Sequence, residues 1–453
     1  MKRVPSFFVI LILGFTLASP EGWPLAKRPP LPKESSKDSV KLPPLTLEEC
    51  FGLALKRSET VAIQKEEIKE AEAQFFIAAS EALGDIDFEM TRERQDPRKG
   101  GGSTSDAGSS FSDPDRRQRK FVISQPLFQG FKALGALTGA GSLKKEQKEE
   151  WRRAEQLLFL DVARAFYGLL REKKDLEIVA GVHSLLRERV KDLEEREKIG
   201  RSRPSEVATA QSRLKVIEAE QARLRGSRAV AQHVLEFLTG MDLEGQELED
   251  DKAPEKSNLE ISSYLTSLDG RPDVEAAKQS AKTAWRGVIV AQSKFWPELS
   301  IEHTQYVRRE GSQSGLDWDF LFKIDVPLFQ GGEAVGKMKE AVSKWKQEKL
   351  SYYLAKRQAE LDIKESYENW LASFDEAESL QEAVKAAEEN FRLQKDEYTH
   401  NLVNNLDVLE ALESLHQTRR DANRTYYQMK ENYWGLRVAV ADVPDISSMA
   451  PSP

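Results

Sequence analysis

One cysteine, five histidines and a single apolar run are all that this 453-residue chain offers of three common signposts to function. Cys50 cannot close an intramolecular disulfide alone, so no disulfide framework is expected. It lies far from the N-terminal apolar run, not where a lipid-carrying cysteine would follow a signal core. Its spacing in "TLEECFGLAL" suits a packed helix face, and we read it as a small buried apolar residue. The histidines (His183, His233, His303, His400 and His416) are dispersed, with no HExxH pair among them. P-loop, GxGxxG and GxSxG patterns are also missing. The chain therefore reads as no enzyme, with no cofactor and no metal.

Charged residues make up 31% of the chain and mean hydropathy is −0.56, which excludes a bundle of transmembrane helices. A net charge of −8 argues against nucleic acid as a partner. The one apolar run, "FFVILILGFTL", follows Lys2 and Arg3 and precedes Ala18-Ser19. That order predicts a signal peptide over residues 1–19. An uncleaved anchor is the alternative, but 11 residues fall short of the ~20 that span a bilayer. Residues 20–44 hold seven of the 19 prolines and are expected to be extended.

What the chain does contain is a duplication. "SQPLFQG" at 124–130 returns as "DVPLFQG" at 325–331, 201 positions on. The same offset lays "LDVARAFYGLL" (160–170) over "LDIKESYENWL" (361–371), and Glu206-Val207 over Asp407-Val408. The reading is a first structural repeat over 45–245, a connector over 246–262, a second repeat over 263–441 and a tail over 442–453. Order begins at Thr46 and Glu49, a capping-box pair. Each repeat reads as helix, strand, loop, strand and a long helical hairpin. The strands are expected near 83–94, 117–126, 297–308 and 316–327, and the hairpins near 131–238 and 332–440. From Glu333 to Thr399 the 67 residues contain no proline, enough for about 100 Å of helix. The hairpins turn at 197–207 and 397–408, where Gly200 and Asn401 suit the left-handed conformation that ends a helix.

The strands alternate. Ile86, Phe88 and Met90 oppose Asp85, Asp87 and Glu89; Phe121 and Ile123 oppose Lys120, Val122 and Ser124. In the second repeat Leu299 and Ile301 oppose Glu298, Ser300 and Glu302. Trp318, Phe320, Phe322 and Ile324 oppose Asp319, Leu321, Lys323 and Asp325. A period of two means a sheet with one apolar and one polar face. Packing against a helix would be the ordinary fate of such a face. Here the adjoining helices are charged, and an exported chain can span a bilayer as a β-barrel. Four strands cannot enclose a lumen, since about eight are needed to surround side chains alone. The wall must then be shared among copies.

Several segments in order resemble the TolC family of outer-membrane efflux and secretion proteins. They are "LTLEECFGLALKRSETV", "RPDVEAAKQSAKTA" leading into "FWPELSI", "LTGMDL", "NNLDVLEALESL" and the doubled "PLFQG". The likeness covers about residues 45–440. It implies a mainly α fold with a small β part: a homotrimer whose outer-membrane barrel continues into a periplasmic α-helical tunnel. It also implies a periplasmic adaptor and an inner-membrane pump of RND, ABC or MFS type as partners, with outer-membrane lipid around the barrel. In that frame each "PLFQG" turns a strand into a helix. Pro126 and Pro327 are expected to break strand pairing, and Gly130 and Gly331 to allow the bend.

The resemblance further implies an acidic constriction at Asp407 and Glu410, three apart on one helical face. A solvated helix surface is the plainer reading of both. Tyr398 matches a family tyrosine that holds the tip closed, but the basic residue expected in that latch falls at Val403. Arg201 or Arg203 could take its place. A soluble periplasmic adaptor or structural coiled-coil protein is the alternative reading of the whole chain. It leaves the four strands and their matched corners without a use.

Overall fold

The protein is described from a computed structural model, over residues 43–94, 115–256, 260–310, 315–400 and 402–443. The expected signal peptide, nearly all of the proline-rich segment, the first strand loop, Asn401 and the tail beyond residue 443 lie outside these residues. All that follows concerns the compact unit that begins at Pro44.

The first repeat contains α1 (Leu47–Arg57), α2 (Glu59–Leu83), β1 (Asp85–Arg94), β2 (Asp115–Gln129), α3 (Lys132–Lys198) and α4 (Pro204–Thr239). The second contains α5 (Ile261–Leu265), α6 (Pro272–Gln292), β3 (Glu298–Arg309), β4 (Trp318–Asp325), α7 (Glu333–Thr399) and α8 (Asn405–Ala439). The fold is mainly α with one small sheet. α3 and α7 are each 67 residues long and begin 201 positions apart, as the duplication requires. The Thr46–Glu49 box opens α1: the Thr46 amide donates to Glu49 Oε2 at 3.0 Å, and the Glu49 amide to Thr46 Oγ1 at 3.2 Å. Ser58 then ends α1 and caps α2 through the Val61 amide.

The hairpins hold together by heptad packing. On α3 the buried residues Val179, Val182, Leu186, Val190 and Leu193 are three or four apart, the spacing of a coiled-coil seam. Val207, Ala210, Ile217 and Leu224 of α4 close over them, with Leu409 and Leu412 of α8. A second cluster lies around Phe159, Val162, Phe166 and Tyr167 of α3 and takes in Cys50, Phe51, Leu235 and Tyr427. Cys50 is wholly buried there, and burial pushes its thiol up to about 12. Charge also ties the helices. Arg420 of α8 binds Asp175 of α3 at 3.2 Å and pairs with Glu220 of α4. Arg271, fully buried before α6, binds Asp273 at 2.6 Å and Asp362 at 3.1 Å and donates to the carbonyls of Ala359 and Ala439.

The connector is fastened to the bundle as well. Leu45 forms a parallel bridge with Leu248, through the Leu45 amide to Glu247 O and the Glu249 amide to Leu45 O, both 2.9 Å. Asp250 and Asp251 beyond it are held by Lys430 of α8.

The four strands form one antiparallel sheet in the order β1-β2-β3-β4. Pairing of β2 with β3 joins the two repeats. Contrary to expectation, β2 does not stop at Pro126. It pairs Pro126 with Ser300 and runs on to Gln129, absorbing the proline, which lacks an amide donor, in a register shift between Pro126 and Phe128. β4 ends at Asp325, two residues before Pro327.

The corner itself falls at the glycines. Gly130 and Gly331 both have φ of 59°, in the left-handed region. They are followed by Phe131 (φ 67°) and Gly332 (φ 90°). Phe131 is held in that conformation by aromatic neighbours, edge-to-face with Phe128 at 5.4 Å and Trp296 at 6.0 Å. A Cβ at Gly130 would also come within 2.7 Å of Trp296 Cβ and 2.8 Å of the Ser293 carbonyl, whereas one at Gly331 meets nothing within 4 Å. Gly130→Ala is therefore expected to cost about 1–3 kcal/mol, and clearly more than Gly331→Ala. Equal losses of thermal stability in the two variants would show that close approach plays no part.

Candidate functional site

The sheet register decides which side chains share a face. Ile86 stands opposite Ile123, and Phe88 opposite Phe121. Ile123 stands opposite His303, Ile301 opposite Phe322, Leu299 opposite Ile324, and His303 opposite Phe320. Directly paired residues lie on the same side. Ile86, Phe88, Met90, Phe121, Ile123, Leu299, Ile301, Trp318, Phe320, Phe322 and Ile324 thus occupy one face. Among the described residues no helix covers it: Ile86 is 74% exposed, Met90 67% and Trp318 59%. The other face carries Asp87, Glu89, Lys120, Glu302, Tyr306, Asp319 and Lys323, joined by a Lys120–Glu89 ion pair at 2.9 Å and a Tyr306–Asp319 hydrogen bond at 2.9 Å. Within the chain β1 pairs only with β2, and β4 only with β3, among the described residues. Neither outer edge has a further strand beside it among the described residues.

The second group lies at the far ends of the long helices. Gly200 adopts φ of 73° after α3, and its amide donates to the Glu197 carbonyl at 2.8 Å. Pro204 opens α4 at its first position. The α7–α8 turn is closed by Asn404. Its side chain accepts from the amides of Leu406 at 2.7 Å and Asp407 at 3.2 Å, while its own amide donates to Asp407 Oδ2 at 2.8 Å. Asp407 is half-buried and committed to this cap; Glu410, one turn on, is exposed. Together with Val403, Asn390 and Gln394 they line an open cleft of about 450 Å³ between α7 and α8.

Tyr398, at the end of α7, is 9% exposed. The guanidinium carbons of Arg189 and Arg196 lie 3.8 and 4.9 Å from its ring centroid. The basic partners of the tyrosine thus come from the body of α3. Arg201 and Arg203 at the tip are exposed and have no part in this contact. A spacing of seven puts Arg189 and Arg196 on one face of α3. That spacing was visible in the sequence, but which residue would face it was not.

A family model described as outer membrane efflux protein matches residues 51–241 and 264–441, well over half of the chain. The chain belongs to that family. The membership expected from the doubled corner and its flanking segments is correct. This outer membrane efflux protein is 23% identical over 307 residues to SilC ("Probable outer membrane lipoprotein SilC") of Salmonella typhimurium, a match over 64% of this chain and 65% of SilC. It thus spans just under two thirds of that relative. Over 342 residues it is 21% identical to the outer membrane protein TolC of Vibrio cholerae, covering 72% and 78% of the two chains. The crystal structure of VceC from Vibrio cholerae superposes with a TM-score of 0.76 at 21% identity, over 87% of this chain and 95% of that one. The fold is the same. None of these relatives supports the soluble adaptor or structural coiled-coil reading.

Proposed function

We propose that three copies of this outer-membrane protein close a shared barrel that continues into a periplasmic helical tunnel. The assembly is a passive exit duct for a tripartite efflux pump or a type I secretion system, working with a periplasmic adaptor and an inner-membrane pump of RND, ABC or MFS type. One observation carries this reading: a four-stranded sheet that, among the described residues, has an uncovered apolar face and no further strand at either edge. Three such sheets joined edge to edge supply twelve strands and leave no open edge. The apolar face then meets outer-membrane lipid and the charged face lines water. Purified protein is expected to migrate as a heat-resistant trimer and to conduct ions across a planar lipid film. A monomer that carries no current contradicts the reading.

In the trimer, Asp407 and Glu410 would form two acidic rings at the periplasmic entrance. Such rings favour cations and make the entrance sensitive to divalent ions. Glu410→Gln is the cleaner test, because Glu410 takes no part in the Asn404 cap. It is expected to move the cation-to-anion permeability ratio toward unity at low salt, with a smaller shift at 1 M, where screening is nearly complete. An unchanged reversal potential in the double variant Asp407→Asn, Glu410→Gln would remove both residues from the gate.

A further inference from the structure

We propose that the apolar face of the sheet ends in an arginine belt that binds the phosphate groups of outer-leaflet lipid. The proposal rests on the channel reading above and adds to it a lipid that the barrel selects.

The belt follows from the register. Beyond Met90 the same face of β1 turns basic, with Arg92 and Arg94. On β2 Arg119 stands opposite Met90, and Arg117 opposite Arg92. A register shift between Arg119 and Lys120 brings Arg308 of β3 opposite Arg119. All five arginines are exposed. They lie at the strand ends remote from α2 and α6, which lead into β1 and β3.

Their height fits a membrane boundary. Nine positions separate Leu299, at the helical end of the apolar face, from Arg308. At ~3.4 Å per residue that is about 30 Å of strand. A tilt of about 40° reduces the rise to about 23 Å, close to the ~25 Å apolar band of an outer-membrane barrel. The arginines therefore stand where hydrocarbon ends, at the leaflet facing away from the helices.

Like charges directly across a ladder repel. Here that happens twice, at Arg117 and Arg119, two residues apart on β2. Among the described residues, fewer acids stand at this level. Glu310 binds Arg308 at 2.7 Å, and Asp115 is opposite Arg94 in the ladder. An anion seated over the arginine pairs turns their repulsion into attraction, and guanidinium forks match phosphate oxygens two at a time. The basic residues are also sorted by face. Arg309 stands opposite Gln118, with its guanidinium carbon 4.3 Å from the ring of Tyr306 on the polar face. Met90 and Phe121 adjoin the belt on the apolar face, so a bound headgroup lays its acyl chains on them. That continuity selects lipid over free phosphate.

Detergent-solubilised wild type, the double variant Arg119→Gln, Arg308→Gln and the single variant Arg309→Gln would be titrated calorimetrically with lipid A. At low salt the double variant should bind about a hundredfold more weakly, about tenfold for each charged hydrogen bond lost. Arg309→Gln should bind as wild type. Wild-type affinity should fall as salt rises, and dephosphorylated lipid A and inorganic phosphate should both bind far more weakly than lipid A. Equal affinity of wild type for lipid A with and without its phosphates overturns the proposal, and so does equal affinity of wild type and the double variant. Inorganic phosphate binding as tightly as lipid A would overturn the lipid as its source. Should the double variant fail to form trimers, the wild-type comparison of the two lipids decides alone. Absence of current from wild type in planar films would instead sink the channel reading, leaving these titrations to decide the belt.

Discussion

Lys430→Met is expected to destabilise the protein by about 3 kcal/mol, at the lower end of what breaking a buried ion pair costs. Lys430 is 1% exposed. Its ammonium donates to Asp250 Oδ1 at 2.5 Å, to Asp251 Oδ1 at 3.1 Å and to the Asp251 carbonyl. The two carboxylates also accept from phenols, Asp250 from Tyr427 at 3.1 Å and Asp251 from Tyr167 at 3.0 Å, and Trp434 donates to Tyr167 at 2.9 Å. Removing the cation leaves two anions facing each other and the tyrosines with nothing positive between them. The loss falls at the low end because Asp250 and Asp251 are themselves 37% and 46% exposed, so water recovers part of it.

The pH dependence follows from the same contacts. Burial lowers the Lys430 pKa, but hydrogen bonding to Asp250 and the charges of both aspartates outweigh it, and the net shift is upward. A lysine whose folded pKa is raised contributes its full stability below its unfolded pKa and loses it as pH rises through the folded value. The contribution is thus complete at neutral pH. In urea titrations at pH 7, Lys430→Met should lose about 3 kcal/mol, and adding Asp250→Asn should restore part of it. A wild-type midpoint in the single variant would show that the connector is not held by this contact.

Phe322→Arg is the second large effect. Phe322 pairs with Ile301 across the sheet and lies 51% exposed on the apolar face. If that face meets hydrocarbon, a mid-strand arginine costs about 2–4 kcal/mol in each copy, and three copies multiply the penalty. Trimers should fail to insert into lipid vesicles. Leu321→Arg is the control, one residue away and on the face already occupied by Asp319, Lys323 and Asp325, where water can solvate the new charge. It should insert nearly as wild type. Equal insertion by both variants would mean that the two faces meet the same medium.

Local patterns told most of what the sequence could tell. Alternation across 85–90 and 317–326 marks strands because side chains repeat every two residues, and the 201-residue offset ties α3 to α7. What stayed hidden depends on residues far apart in the chain. The adjacency of β2 and β3 unites strands almost two hundred positions apart. The contact of Lys430 with Asp250 and Asp251 spans a similar distance, and so does that of Arg189 with Tyr398. Pro126 misled for a different reason. A proline removes one amide donor, and a bulge next to it lets the ladder continue, which local pattern does not reveal.

The central claim is that alternate residues of one sheet meet lipid and water. Single cysteines at Ile86, Asp87, Phe88 and Glu89 and at Phe320 to Lys323, introduced in vesicle-inserted trimers, test it most directly. Cys50 adds little background, being buried with its thiol pushed up to about 12. The account predicts strict alternation: positions 87, 89, 321 and 323 react with a water-soluble maleimide, and positions 86, 88, 320 and 322 only with a lipid-soluble one. Uniform reaction of all eight positions with the water-soluble reagent would contradict it.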